Sequence, residues 1–340
     1  MDTITPGAVF VQTNDASSNQ VVAFGRSAAG ALARLDTYET GGTGNGVPHL
    51  PSQGSLVVAG DRLLVTNAGS DDVSVFAIDD DGLTLVDRAP AGASPRSVAV
   101  HGSLVYVLGT AGLTGLRLAA DGTLASIDGS TRALSSAEAD GAQIAFTPNG
   151  RTVVVTERVT DRISTYAVDE DGLLDGPIAH PSSGATPYGF DFGADGVLVV
   201  TEAFGGQSGA AAASSYRLNG APGLVPVSAS VQNTRSEVCW AAVSKDGRFA
   251  YVTNFGDSTI SSYRIGGDGS IDLLDAVAAS TRLGEKGIRD EALSADGRFL
   301  FALDADSQRI HSWTVASDGG LVPAGTADGL PATVAGLAAV

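Results

Sequence analysis

Glu157 and Glu202 stand at matching points of this chain, each closing a Val-Val-Thr-Glu run, 45 residues apart. Two carboxyl groups brought close repel when both are ionised, so one keeps its proton and an acid comes to stand beside a base. Arg289 and Arg235 supply guanidiniums able to hold an anion or a developing oxyanion. The expected chemistry is acid–base catalysis, with Glu202 as acid or base, Glu157 as its partner and Arg289 as the charge stabiliser. Of the four histidines, His49 and His180 are expected beside these groups, His101 in a turn on the opposite side, and His311 in an outer strand. Cys239, the single cysteine, reads as a packed small residue, since no histidine neighbours it in sequence. One cysteine also excludes an internal disulfide and a cysteine-built zinc cluster. No Ser-His-Asp order, phosphate loop or metal-spaced cluster stands out, so neither a cofactor nor a metal is expected.

Positioning these groups falls to an internal repeat. A phrase of strand, Thr-Asn or Thr-Glu, small polar loop and strand recurs along the chain, as in LLVTNAGSDDVSVF, VVVTERVTDRISTY and AYVTNFGDSTISSY. The residue after Thr, or its equivalent, is Asn14, Asn67, Gly109, Glu157, Glu202, Asn254 and Asp304, at spacings of 53, 42, 48, 45, 52 and 50. Such a period suits a four-stranded propeller blade. A short apolar strand opens each repeat, at 97–100, 143–146, 189–192, 240–243 and 291–293. Asn149-Gly150, Asp195-Gly196, Asp246-Gly247 and Asp296-Gly297 follow four of these strands, and such pairs accept the positive φ of tight hairpins. The first repeat lacks its opening strand, and residues 334–340 resemble the missing piece. The expectation is therefore an all-β chain, a single domain over 1–340. It is a seven-bladed β-propeller of four-stranded antiparallel blades, closed by the C-terminal strand pairing into the first blade.

Composition narrows the partners. The chain carries a net charge of −18 and a sequence pI near 4.4, so phosphate backbones and anionic membranes are repelled. A small-molecule ligand is expected, with a protein partner as the other open possibility. No apolar run is long enough to span a bilayer. The N-terminus shows no basic start followed by an apolar stretch, which predicts a cytoplasmic protein, or an exported one whose signal segment is not part of this sequence. Residues 79–82 and 169–172 superficially resemble calcium loops but lack the glutamate at loop position twelve, so they read as turns.

In a propeller the blade-linking segments and the loops between second and third strands open on one face. That face collects the candidate ligand-binding residues His49, Asp140, Tyr188 and Arg235, with Glu237, Trp240 and Asp290. Residues starting each inner strand, Asp140, Tyr188, Trp240 and Arg289, are expected nearest the axis.

The blade phrases resemble the seven-bladed lactonase-like propellers, the family of cycloisomerase-type 6-phosphogluconolactonase and fungal carboxymuconate cyclase. The resemblance runs from position 9 to 340 and is strongest in WAAVSKDGRFAYVTNFGDSTISSYRIGGDGSIDLL and GAQIAFTPNGRTVVVTERVTDRISTYAVDEDG. It implies ester-ring chemistry at one mouth of the channel through histidine, glutamate and arginine side chains, without an obligatory metal. Glu202 matches the glutamate of the family's Asn-Glu step, and Arg289 the arginine of its Pro-Arg-Asn step. Elsewhere the chain departs. Asp140-Gly141-Ala142 stands for His-Pro-His, Thr186-Pro187-Tyr188-Gly189 for Gly-Pro-Arg-His, Cys239-Trp240 for Ala-Glu, and Phe255 for the arginine of Asn-Arg-Gly. The resemblance implies a lactonase-like enzyme acting on a small oxygenated ring compound by metal-independent acid–base chemistry, through hydrolysis or a related cyclisation or isomerisation. A non-catalytic propeller binding a small molecule or protein on the same face, and a secondary-metabolite cyclase, stay open.

Overall fold

The computed structural model describes residues 7–48, 50–220 and 223–340, so His49 lies outside the described residues. The strands form seven four-stranded antiparallel sheets. Numbered from the N-terminus, their inner strands are Ala335–Ala339 in blade 1, Leu56–Ala59 in blade 2, Ser97–His101 in blade 3 and Gly141–Phe146 in blade 4. Blades 5, 6 and 7 begin with Pro187–Phe192, Val238–Val243 and Ile288–Leu293. Each inner strand touches the next around the whole circle, the strand of blade 7 meeting that of blade 1. The ring is closed.

Closure comes from the chain end, as the repeat predicts. Ala335–Ala339 pairs antiparallel with Ala8–Gln12, placing Val9 opposite Ala339 and Gln12 opposite Ala335. Without it the second strand of blade 1 would expose a row of unpaired amides to the channel.

The strands are held by seven apolar layers, each shared by two neighbouring blades. Val153 and Val155 pack with Tyr106 and Leu108 of blade 3, while Val154 between them packs with Leu198 and Val200 of blade 5. A radial sheet buries both faces, so a run such as Val153-Val154-Val155 feeds two layers at once. The same sharing closes the circle, where Val9 and Val11 meet Phe299 and Phe301 of blade 7. Burying one such side chain is worth roughly 1.5–3 kcal/mol. Outermost strands such as Leu174–Pro181 and Ile271–Ser280 are largely solvent-facing.

The turns follow the sequence. Gly150 and Gly247 take φ of 69° and 70° in the inner hairpins. Residues 79–82 form a tight turn, with strands ending at Asp79 and restarting at Gly82. The inner strands of blades 4 to 7 begin two or three residues earlier than expected, because their first residues, Gly141, Pro187, Val238 and Ile288, pair ahead of a register shift such as that between Ile288 and Glu291. Among the described residues no helix is long and apolar enough to cross a membrane. Removing residues 331–340 is expected to give a protein that melts lower and aggregates on size-exclusion chromatography; an unchanged melting temperature would contradict the structural role of the closing strand.

Candidate functional site

The Thr of each repeat and the residue after it point in opposite directions, as neighbours in a strand must. In blades 4, 5 and 6 the threonines reach forward to the next blade. Thr156 donates to the carbonyl of Tyr188 (2.5 Å), Thr201 to that of Cys239 (2.8 Å) and Thr253 to that of Arg289 (2.7 Å). The following residue reaches back to its own third strand and to the segment entering the blade. Glu157 is fully buried and accepts from the backbone N–H of Ser135 (2.9 Å) and the hydroxyls of Ser164 (2.8 Å) and Thr160 (2.9 Å). Glu202, equally buried, accepts from the N–H of Gly184 (2.8 Å), Ser214 (2.5 Å) and Ser230 (2.6 Å). Burial raises the Glu202 acid, and these donors work against the rise.

The structure therefore does not bring the two glutamates together. Their partners fall within their own blades and entering segments, and both carboxylates are latches that face away from the channel mouth. Asn67, Asn254 and Asp304 latch the same way, through Thr40, Asn233 and Thr281 of the entering segments. In blade 1 the register differs from the expected Asn14. Thr13 N–H bonds Gln20, taking the latch position, while Asn14 lies one beyond in a left-handed conformation.

What the threonines position is more informative. Tyr188, Cys239 and Arg289 each directly follow the first paired residue of their inner strands, Pro187, Val238 and Ile288. A phenol, a thiol and a guanidinium thus stand side by side on blades 5, 6 and 7 at one mouth of the channel. Asp140, just before the inner strand of blade 4, extends the arc. Its carboxylate is held by Arg96 (2.6 Å) and Arg158, and its side chain stays 35% exposed. Arg158 also donates to the Tyr188 hydroxyl (2.9 Å) and lies over its ring, 4.9 Å from the centroid. The phenol oxygen accepts that bond and keeps its own proton free to donate. Trp240 is fully buried behind Tyr188, ring centroids 4.9 Å apart.

Arg289 is only 8% exposed and lies flat on Phe255, 3.8 Å from the ring centroid. Among the described residues its side chain makes no ion pair or hydrogen bond, and its Nε is buried without a partner. Desolvation lowers its affinity for the proton. Burial pushes the Tyr188 phenol up to about 12 and the Cys239 thiol up to about 12. At neutral pH the site presents a cation and two neutral donors. Deeper in the channel, burial raises Asp191 to about 6, Asp290 to about 7, and Glu291 well above its usual value. Asp191 accepts from Val243 N–H (2.8 Å) and Asp290 from Gly336 N–H (3.0 Å), each bridging to the next inner strand.

Of the expected site residues, Asp140, Tyr188 and Arg289 converge, with Trp240 as backing and Asp290 beneath. Arg235 is turned to Asp257 (3.4 Å), and Glu237 is paired with Lys286. His180 lies in the outermost strand of blade 4, its ring 3.0 Å from the Thr165 hydroxyl. It is not at the channel. The roles of Arg96, Arg158 and Phe255 went unassigned in the sequence, although Arg158 follows the latch Glu157 directly.

A family model described as lactonase, 7-bladed β-propeller matches residues 16–114, 113–225 and 203–333. Among solved structures, a protein from Lactobacillus plantarum is 17% identical, covers 98% of this chain and 99% of its own, and has a TM-score of 0.75. The periplasmic gluconolactonase of Pseudomonas aeruginosa is 18% identical, with 98% and 99% covered and a TM-score of 0.74. A candidate 6-phosphogluconolactonase from Bacteroides uniformis is 20% identical over 100% of both chains, with a TM-score of 0.70. At such identities the likeness shows the fold. A search of curated proteins finds no match.

Two outcomes follow for the buried acids. Glu202→Gln places an amide donor among the donors from Gly184, Ser214 and Ser230 and is expected to cost about 1–3 kcal/mol, measured by denaturant unfolding; unchanged stability would remove the latch. For Asp290 the folded acid holds its proton to higher pH than the unfolded acid, near 3.9. Its contribution to stability is present below pH 4 and lost as pH rises to about 7. His311, lowered by burial, works in the opposite sense. Thermal melts from pH 4 to pH 8 are expected to fall less steeply for Asp290→Asn than for the parent; parallel curves would contradict the assignment.

Proposed function

The chain belongs to the lactonase family of seven-bladed β-propellers, and from that premise we propose that it opens a small oxygenated ring, a lactone, at the mouth lined by Asp140, Tyr188 and Arg289. The observation that carries this reading is the buried Arg289 guanidinium, which makes no ion pair or hydrogen bond among the described residues. A desolvated, unpaired cation is costly unless a ligand anion or developing oxyanion completes it.

In the proposed reaction the lactone carbonyl oxygen points at Arg289 and the Tyr188 hydroxyl. Asp140 takes a proton as water adds to the carbonyl carbon. The resulting oxyanion is held by the guanidinium and phenol. Collapse breaks the ring C–O bond, and Asp140 returns the proton to the leaving oxygen, giving a hydroxy acid. A second reading, anion binding without turnover, is favoured by one feature. Asp140-Gly141-Ala142 replaces the histidines that the family resemblance implies, and Asp140 is held by two guanidiniums.

A panel of neutral and carboxylate-bearing lactones, followed by proton release, separates the two. Turnover is expected, with Arg289→Gln lowering kcat/KM by about 100-fold or more and Arg289→Lys recovering part of it. Absence of turnover across the panel, with saturable binding of the hydroxy acids, would favour the binder.

A further inference from the structure

The segment linking blade 1 to blade 2 reaches blades 3, 4 and 6. Residues 52–54 cross the channel. Ser97 of blade 3 donates to the Gln53 carbonyl (2.6 Å), and Val98 N–H to that of Gly54 (2.8 Å). Gln53 N–H donates to the carbonyl of Ala142 in blade 4 (3.2 Å). Its side-chain amide then reaches blade 6, where Nε2 donates to the Ala241 carbonyl (2.8 Å) and Oε1 accepts from the Ala241 N–H (3.1 Å). That bidentate pairing gives the free edge of an inner strand what a neighbouring strand would give it. Blade 5 makes room. A Cβ on Gly189 would sit 2.3 Å from Gln53 Oε1 and 2.7 Å from the Cys239 carbonyl oxygen, which backbone cannot yield cheaply.

These contacts lie at a defined depth. Ala142, Gly189 and Ala241 are one or two residues below the mouth, just beneath Tyr188 and Cys239. Asp191, a little further along its strand, bonds Val243 below the crossing.

We propose that Gln53 is the floor of the site, a positioning residue that bars the channel from below, fixes the Cys239–Ala241 wall and restricts the mouth to ligands that stop above the amide. The restriction on ligand depth rests on the reading of the mouth as a binding site; the barrier does not.

Two reporters test the barrier without any activity. Cys239 is the only cysteine of the chain, and Trp240 is the only tryptophan left once Trp313 is changed to Phe. Gln53→Ala is expected to keep the circular-dichroism spectrum while raising acrylamide quenching of Trp240 and iodoacetamide labelling of Cys239 at least several-fold. Gln53→Glu, of the same length but without the donor, serves if the shorter side chain is not tolerated, and is expected to show a smaller rise. Unchanged quenching and labelling in folded variants would overturn the barrier. For ligand depth, γ-lactones of increasing alkyl tail are compared. The parent is expected to lose kcat/KM through KM as the tail lengthens, and Gln53→Ala to regain it. An unchanged tail preference overturns the depth assignment. Absence of turnover by every variant would count against the lactonase reading, while the quenching result still decides the floor.

Discussion

A threonine hydroxyl reaching from one blade to a carbonyl at the start of the next inner strand is the contact on which this site depends. Inner strands of a propeller have one edge with no strand beside it, so their polar groups need partners from elsewhere. Thr156, Thr201 and Thr253 provide them for Tyr188, Cys239 and Arg289. Gln143, Asp191 and Asp290 do so further down, for Phe190, Val243 and Gly336. Each bond is worth only about 0.5–1.5 kcal/mol. Repeated around the circle, they fix the height at which three adjacent blades present their side chains.

The same repetition explains why the conspicuous glutamates are not where the chemistry is. In a strand ending Val-Thr-Glu, only one of the last two residues can face forward. Threonine takes that direction, so glutamate faces back, into the segment entering its own blade. A carboxylate, an amide or an aspartate serves equally there, provided the surrounding hydroxyls turn to match. In blade 3 the position is Gly109, and the entering segment packs straight against its backbone, the Ala93 carbonyl oxygen lying 2.4 Å from where a Cβ would stand.

Charge at the mouth runs against charge overall. The chain carries −18, and much of its acid lies in the Asp-Gly turns of the outer hairpins. At the mouth, Arg96 and Arg158 share the one carboxylate of Asp140, and Lys286 pairs with Glu237. The Arg289 guanidinium lies over an aromatic ring and makes no ion pair or hydrogen bond among the described residues. A cation held out of water without a direct ion pair acts more strongly on an anion than several surface pairs would.

The amino-acid sequence by itself determined the ring. Turn pairs such as Asn149-Gly150, the recurrent Val-Thr phrase and the strand-like tail are local signals. It also pointed to Asp140, Tyr188, Trp240 and Arg289 as the residues nearest the axis, whereas on blade 6 the structure sets Cys239 at the mouth and Trp240 behind Tyr188. Tertiary structure alone decided which neighbour in each repeat faces the channel, because that parity is set by how blades pack and by register shifts at the inner-strand starts. Gln53 and Ala241 are 188 residues apart, and no period or motif connects them; only the closed circle brings an amide from one side of the channel to the bare strand edge on the other.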